Sequence, residues 1–176
     1  ASAEIGIGKE GVRQKNMGDS WEYSFTGLPQ YDENGVEIVY TIAEADVPDG
    51  YDAYYHGFTV ENVQKGNLSV SKSVTGNGGE QDRDFHFTVR TDDVSIDGIY
   101  GDMVFQSGTA RLTLKHGETV TALGLPAGTG YTVIEDEAED YRVTAQGNEG
   151  TIMPGDTVKA IFENYRTPPA EQTEDG

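Results

Sequence analysis

The sequence predicts an all-β protein of two tandem sandwiches, and three observations lead to that fold class. Short runs alternate apolar and polar residues with a period of two, and no stretch carries a sustained helical stripe. Turn-forming residues punctuate these runs, with 23 Gly among 176 residues, and the ten Tyr favour strands over helices. Three motifs then occur twice in the same order. Gly27-Leu28-Pro29 returns as Gly124-Leu125-Pro126, Tyr40-Thr41-Ile42-Ala43-Glu44 as Tyr131-Thr132-Val133-Ile134-Glu135, and Phe58-Thr59-Val60-Glu61-Asn62 as Ala160-Ile161-Phe162-Glu163-Asn164. A repeated motif order implies two domains of related architecture, one over residues 1–64 and one over 67–166. Gln64-Lys65-Gly66 reads as a short link between them. From Thr167-Pro168-Pro169 onward the chain is polar and acidic, so 167–176 reads as linker or tail.

Each element has its own signal. Ile5 and Ile7 alternate with Gly6 and Gly8, and Gly8-Lys9-Glu10-Gly11 reads as a hairpin turn. Trp21-Glu22-Tyr23-Ser24-Phe25 alternates cleanly. Asp32-Glu33-Asn34-Gly35 is a turn, because Asn-Gly accepts positive φ. Ile38 to Ala43 is a strand ending at Glu44, Pro48-Asp49-Gly50 turns the chain, and Phe58 to Asn62 closes the first group. The second group opens on Leu68-Ser69-Val70-Ser71-Lys72-Ser73-Val74. Phe85, Phe87 and Val89 alternate inward, and residues 91–108 read as a long Asp- and Gly-rich loop with at most a short strand or helical turn. Strands follow at 110–114, 119–123, 130–135 and 158–164.

Composition excludes several functions. Thirty-one acidic residues against 12 basic ones give a net charge of −19, a field that repels nucleic acid. No apolar stretch is long enough to span a membrane, and no signal peptide is recognisable, so no membrane contact is expected of these residues. The absence of cysteine removes disulfides and thiolate chemistry. Small extracellular domains ordinarily need a staple, so an extracellular setting would call for another covalent device. His56, His86 and His116 have no ligand spacing, and Asp92, Asp93, Asp97 and Gly98 fit no EF-hand loop, so neither metal nor cofactor is expected. No serine or threonine sits in a nucleophile elbow.

The alternation also places polar groups where they do not belong. Lys72 falls on the face of Leu68, Val70 and Val74. Glu135 falls on the face of Tyr131 and Val133, and Asn164 on that of Val158, Ala160 and Phe162. Three separately unsatisfied polar groups in one core would cost roughly 1–3 kcal/mol each, so they are expected to meet. Burial disfavours the charged forms of an amine and a carboxyl alike. A neutral amine is a nucleophile and a protonated carboxyl polarises an amide, so the trio has the chemistry to form a Lys–Asn isopeptide bond with loss of ammonia. Such a bond would tie the first strand of the domain to its last.

These motifs resemble two related families. LSVSKSVTG at 68–76, the Asp84-to-Val89 strand, Gly124-Leu125-Pro126-Ala127-Gly128, the Tyr131-to-Glu135 strand and Phe162-Glu163-Asn164 resemble the pilin isopeptide-linkage domain of Gram-positive surface proteins. Over 14–64, Trp21-x-Tyr23-x-Phe25-x-Gly27-Leu28-Pro29, Tyr31 to Gly35, Tyr40 to Glu44, Gly50-Tyr51 and Val60-Glu61-Asn62 resemble the collagen-adhesin (CnaB) B-type repeat. The resemblance implies immunoglobulin-like sandwiches in stalks of adhesins or pili, outside the cell and anchored to its wall. It implies that Lys72 and Asn164 are bond partners and Glu135 the catalytic acid, with Glu44 and Asn62 as first-domain counterparts. A B-type repeat carries its reactive lysine on a strand well before the Trp strand. Here positions 1–8 contain no lysine, so the first domain is expected to lack that strand and its bond. The expected function is a covalently locked structural stalk, without turnover catalysis, whose partners are neighbouring domains of the same surface protein. The alternative is an adhesin domain that itself binds host extracellular matrix protein or glycan, with Tyr51, Tyr54 and Tyr55 as an aromatic patch.

Overall fold

A computed structural model describes residues 2–7, 13–17 and 20–168, all strand, turn and loop without a helix. The chain divides into two compact units, 1–63 and 64–176. The first unit holds β1 (Ser2–Ile7), β2 (Arg13–Met17), β3 (Ser20–Ser24), β4 (Val39–Glu44), β5 (Tyr51–His56) and the beginning of β6 (Thr59–Thr75). β2 and β3 form an antiparallel pair, and β5 pairs with β6. β1 lies parallel to β4 in a two-stranded sheet, with Ile5 opposite Ile42 and Ile7 opposite Glu44. The turn expected at Gly8-Lys9-Glu10-Gly11 lies outside the described residues.

The second unit packs two sheets face to face. One runs β14 (Glu149–Thr151), β12 (Gly130–Glu135), β7 (Phe85–Thr91), β10 (Thr109–Leu114), β9 (Met103–Gln106), β8 (Gly98–Tyr100). The other runs β11 (Thr119–Pro126), β6, β15 (Thr157–Tyr165), β13 (Arg142–Gln146). Strict alternation builds the space between them. Leu68, Val70 and Val74 of β6, with Ala160 and Phe162 of β15 beside it, face Phe85, Phe87, Val89 and Val133 of the other sheet in a single buried cluster. β6 and β15, the first and last long strands of this unit, are parallel neighbours, with Lys72 opposite Phe162 and Val74 opposite Asn164.

Several elements differ from expectation. The segment 91–108 is not a loop: Tyr100-Gly101-Asp102-Met103 turns the β8–β9 hairpin, which buries Met103 and Phe105, while Ile96 is buried just before it. The link residues Gln64-Lys65-Gly66 lie within β6, where Lys65 and Gly66 pair with Pro126 and Leu125 across a bulge in β11. β5 was not foreseen, since its Tyr-rich run has no alternation of polarity. β13 was not foreseen either, because all five of its residues are exposed and carry no burial signal.

Gly66 has a packing role. A Cβ there would overlap the Met153 carbonyl oxygen and crowd Ile152, a buried residue of the core. Gly66→Ala is therefore expected to destabilise the second unit by roughly 1–3 kcal/mol, read as a lower denaturation midpoint. An unchanged midpoint would show that the 152–153 backbone yields freely.

Candidate functional site

The alternation that builds the core also buries its polar trio. Lys72 lies on the inward face of β6 between Val70 and Val74, Asn164 on that of β15 near its end, and Glu135 ends β12 in the opposite sheet. Lys72 and Asn164 are 2% and 0% exposed, and the Glu135 side chain is 3% exposed. Lys72 Nζ donates to Glu135 Oε1 at 2.8 Å, and Asn164 Nδ2 donates to the same oxygen at 2.6 Å. One carboxylate oxygen therefore touches both the amine and the amide nitrogen. Glu135 Oε2 and Asn164 Oδ1 are buried without a hydrogen-bond partner among the described residues. A buried carboxylate with one orphan oxygen beside an orphan amide carbonyl is an expensive arrangement as an ion pair.

Aromatic rings keep the site dry. The amine sits 4.2 Å from the centroid of Phe85 and 5.7 Å from that of Phe87, and Phe87 meets Phe162 edge-on at 5.1 Å. Burial holds the Lys72 amine below its ordinary value of 10.5, against the opposing hydrogen bond and charge of Glu135. The inward positions of Phe85 and Phe87 were legible in the sequence, but not their place over the amine. His116 was not foreseen at all. Its Nδ1 accepts the Val74 N–H at 2.9 Å, and the turn that carries it exchanges backbone hydrogen bonds with Lys72: Lys72 N–H donates to the Glu118 carbonyl and Gly117 N–H to the Lys72 carbonyl.

In the first unit, Asn62 Nδ2 donates to Glu44 Oε1 at 3.0 Å, so this pair also meets. Glu44 Oε2 is buried without a partner among the described residues. The pair is wetter than its counterpart, since Asn62 is exposed and Glu44 half-buried. β1 runs beside the Glu44 strand, whereas the first strand of the second unit runs beside the Asn164 strand. Lys9 lies outside the described residues.

Other candidates resolve into local structure. Asp92 accepts the Gly130 N–H, Asp93 the Ser95 N–H and hydroxyl, and Asp97 the Ser107 N–H, so these carboxylates brace turns. The three tyrosines lie on β5, where alternation sets Tyr54 on the face opposite Tyr51 and Tyr55. The Tyr55 hydroxyl accepts the Glu44 N–H. The expected aromatic patch is therefore corrected to residues divided between two faces of one strand.

Fold and sequence together define a CnaB-type β-sandwich protein. The profile of the Cna protein B-type domain matches residues 2–63. The chain belongs to the family described as a domain of unknown function, DUF7601, whose profile matches residues 66–166. The pilus tip adhesin Cpa of Streptococcus pyogenes is 32% identical over 125 residues, which cover 61% of this chain and 18% of that protein. The chain thus spans less than a fifth of the length of that curated relative. A solved structure of the pilus-presented adhesin Cpa superposes with a TM-score of 0.51 at 27% identity, covering 77% of this chain and 32% of the other. The major pilin protein T3.2 from Streptococcus pyogenes shares the fold, with a TM-score of 0.50 at 23% identity, over 63% of this chain and 49% of the other.

Proposed function

We propose that this chain is a stalk module of a pilus-type surface protein, locked by an autocatalytic isopeptide bond between Lys72 and Asn164. The observation that carries the reading is the single buried oxygen, Glu135 Oε1, that touches both nitrogens of the reaction. The neutral Lys72 amine attacks Cγ of Asn164 and forms the Nζ–Cγ bond. The Cγ–Nδ2 bond breaks, and Nδ2 leaves as ammonia. Glu135 takes the proton that Nζ loses and returns it to Nδ2, so the carboxyl is regenerated. The reaction occurs once per molecule, and its product is a crosslink between the first and last long strands of the unit. Placement on the outer surface of a Gram-positive cell, with neighbouring modules of the same protein as partners, follows from the likeness to the Streptococcus pyogenes adhesin and is part of this proposal. A covalent lock in a cysteine-free chain suits an extracellular setting.

Titration tests the bond without mass measurement. Between the lowered value of the buried amine and 10.5, the unfolded chain binds more protons than the folded one, so stability contributed by this amine rises with pH through that window. Conversion to an amide removes the titration. Asn164→Ala keeps the amine, and its stability should therefore rise relative to wild type as pH increases from neutral toward 10.5. Denaturation midpoints measured across that range check it, and a constant difference between the two proteins would contradict amide formation at Lys72.

The first unit is expected to form no such bond, so the chain should lose one ammonia rather than two. Peptide mapping of the intact-mass product checks this. A second loss with a peptide joining Lys9 to Asn62 would show that the segment after β1 supplies a reactive lysine.

A further inference from the structure

The three strands that carry the trio end in three segments, and Glu80 collects all of them. Glu80 lies in the loop that follows β6. Tyr141 lies in the segment after β12, and Arg166 directly follows β15. Glu80 Oε2 accepts from Arg166 Nη1 at 3.0 Å, from the Tyr141 hydroxyl at 3.2 Å and from Arg83 Nη1 at 3.2 Å. The Tyr141 hydroxyl in turn accepts the Glu80 N–H at 2.9 Å. The guanidinium groups of Arg83 and Arg166 each lie 5.5 Å from the centre of the Tyr141 ring. That ring meets Phe85 edge-on at 5.5 Å, and Phe85 is the ring under the Lys72 amine.

Two features show that this arrangement is specified. Asp140 adopts a φ of 71°, a left-handed conformation costly for a residue with a side chain, and it immediately precedes Tyr141. Gly76, at the exit of β6, is so close to Arg166 that a Cβ would overlap the Arg166 carbonyl oxygen, and Gly78 N–H donates to that carbonyl at 3.0 Å. The hydrogen bonds from Arg83 and Tyr141 hold the Glu80 carboxyl below its ordinary range, with the Arg166 charge adding to them, so it is ionised when the strand ends meet. Yet the Glu80 and Arg83 side chains are 53% and 40% exposed, and surface pairs of this kind contribute little to stability. Their contribution is better sought in geometry.

We propose that Glu80 is a positioning residue for crosslink formation: by tying the ends of β6, β12 and β15 to one carboxylate, it holds Lys72, Glu135 and Asn164 at reacting distance. This rests on the proposed isopeptide reaction. A displacement of about 1 Å can slow such a reaction up to about a hundredfold.

The test follows ammonia loss in time on freshly synthesised full chain, quenched at intervals from cell-free translation and weighed intact, with the folded fraction read in parallel. Glu80→Gln is expected to slow the loss per folded molecule roughly tenfold or more, and Tyr141→Phe to slow it less. In an Asn164→Ala background, where no bond forms, Glu80→Gln should shift the melting midpoint by only a few degrees. Loss at the wild-type rate in Glu80→Gln overturns the positioning role and leaves the crosslink reading intact. If Glu80→Gln unfolds the Asn164→Ala background, Tyr141→Phe decides, and a wild-type rate there overturns the proposal. A wild-type chain that loses no ammonia overturns the crosslink reading, and the positioning role with it.

Discussion

Asn164→Ala keeps all its ammonia and melts roughly 20 °C below wild type in the second unit. A bond between Lys72 and Asn164 closes about ninety residues of chain. In the chain-entropy model, a crosslink closing a loop of about 100 residues contributes about 4.7 kcal/mol, because the unfolded chain loses the freedom it would otherwise regain. For a domain of this size each kcal/mol shifts the midpoint by about 4 °C. Calorimetry of the two proteins checks the shift. A difference of only a few degrees would mean that Lys72 and Asn164 remain separate side chains in the wild type.

Glu135→Gln gives a folded second unit without the bond, and Glu135→Ala gives an unlinked unit that is weaker still. Glutamine matches the shape of the carboxyl and keeps an acceptor for Lys72, but it cannot take the proton from Nζ and return it to Nδ2. The amine it leaves behind is buried, and burial already favours its neutral form. Alanine removes the partner altogether. A buried amine without a hydrogen-bond partner costs roughly 1–3 kcal/mol, in addition to the lost crosslink. Intact mass and a denaturation curve on each variant read both effects. Ammonia loss at the wild-type rate in either variant would show that Glu135 does not carry the proton.

Much of the site was legible because the strands that carry it are long and strictly alternating. Leu68 to Val74 set Lys72 on the apolar face, and the same period placed Glu135 beyond Val133 and Asn164 beyond Phe162. Their meeting required only that three buried polar groups share a partner. The parts that were not legible lack that signal. β13 has no buried residue, so nothing in Arg142 to Gln146 distinguishes it from loop. The β8–β9 hairpin hides Met103 and Phe105 in four residues of alternation within an Asp-rich stretch. The Tyr51–His56 strand mixes tyrosines on both faces, which made an aromatic patch out of residues that point apart. Gly66 read as part of a short link because glycine in a strand leaves no pattern, whereas its role is close approach to the 152–153 backbone. Nor can a sequence show that Glu80, Tyr141 and Arg166, from three distant segments, converge on one carboxylate.

The central claim is the covalent bond, and intact-mass spectrometry of the wild-type chain tests it most directly. The expected result is a mass lower than the sequence mass by one ammonia, with digestion releasing a branched peptide that joins Lys72 to Asn164. A chain at its full sequence mass, with Lys72 and Asn164 recovered on separate linear peptides, would contradict it.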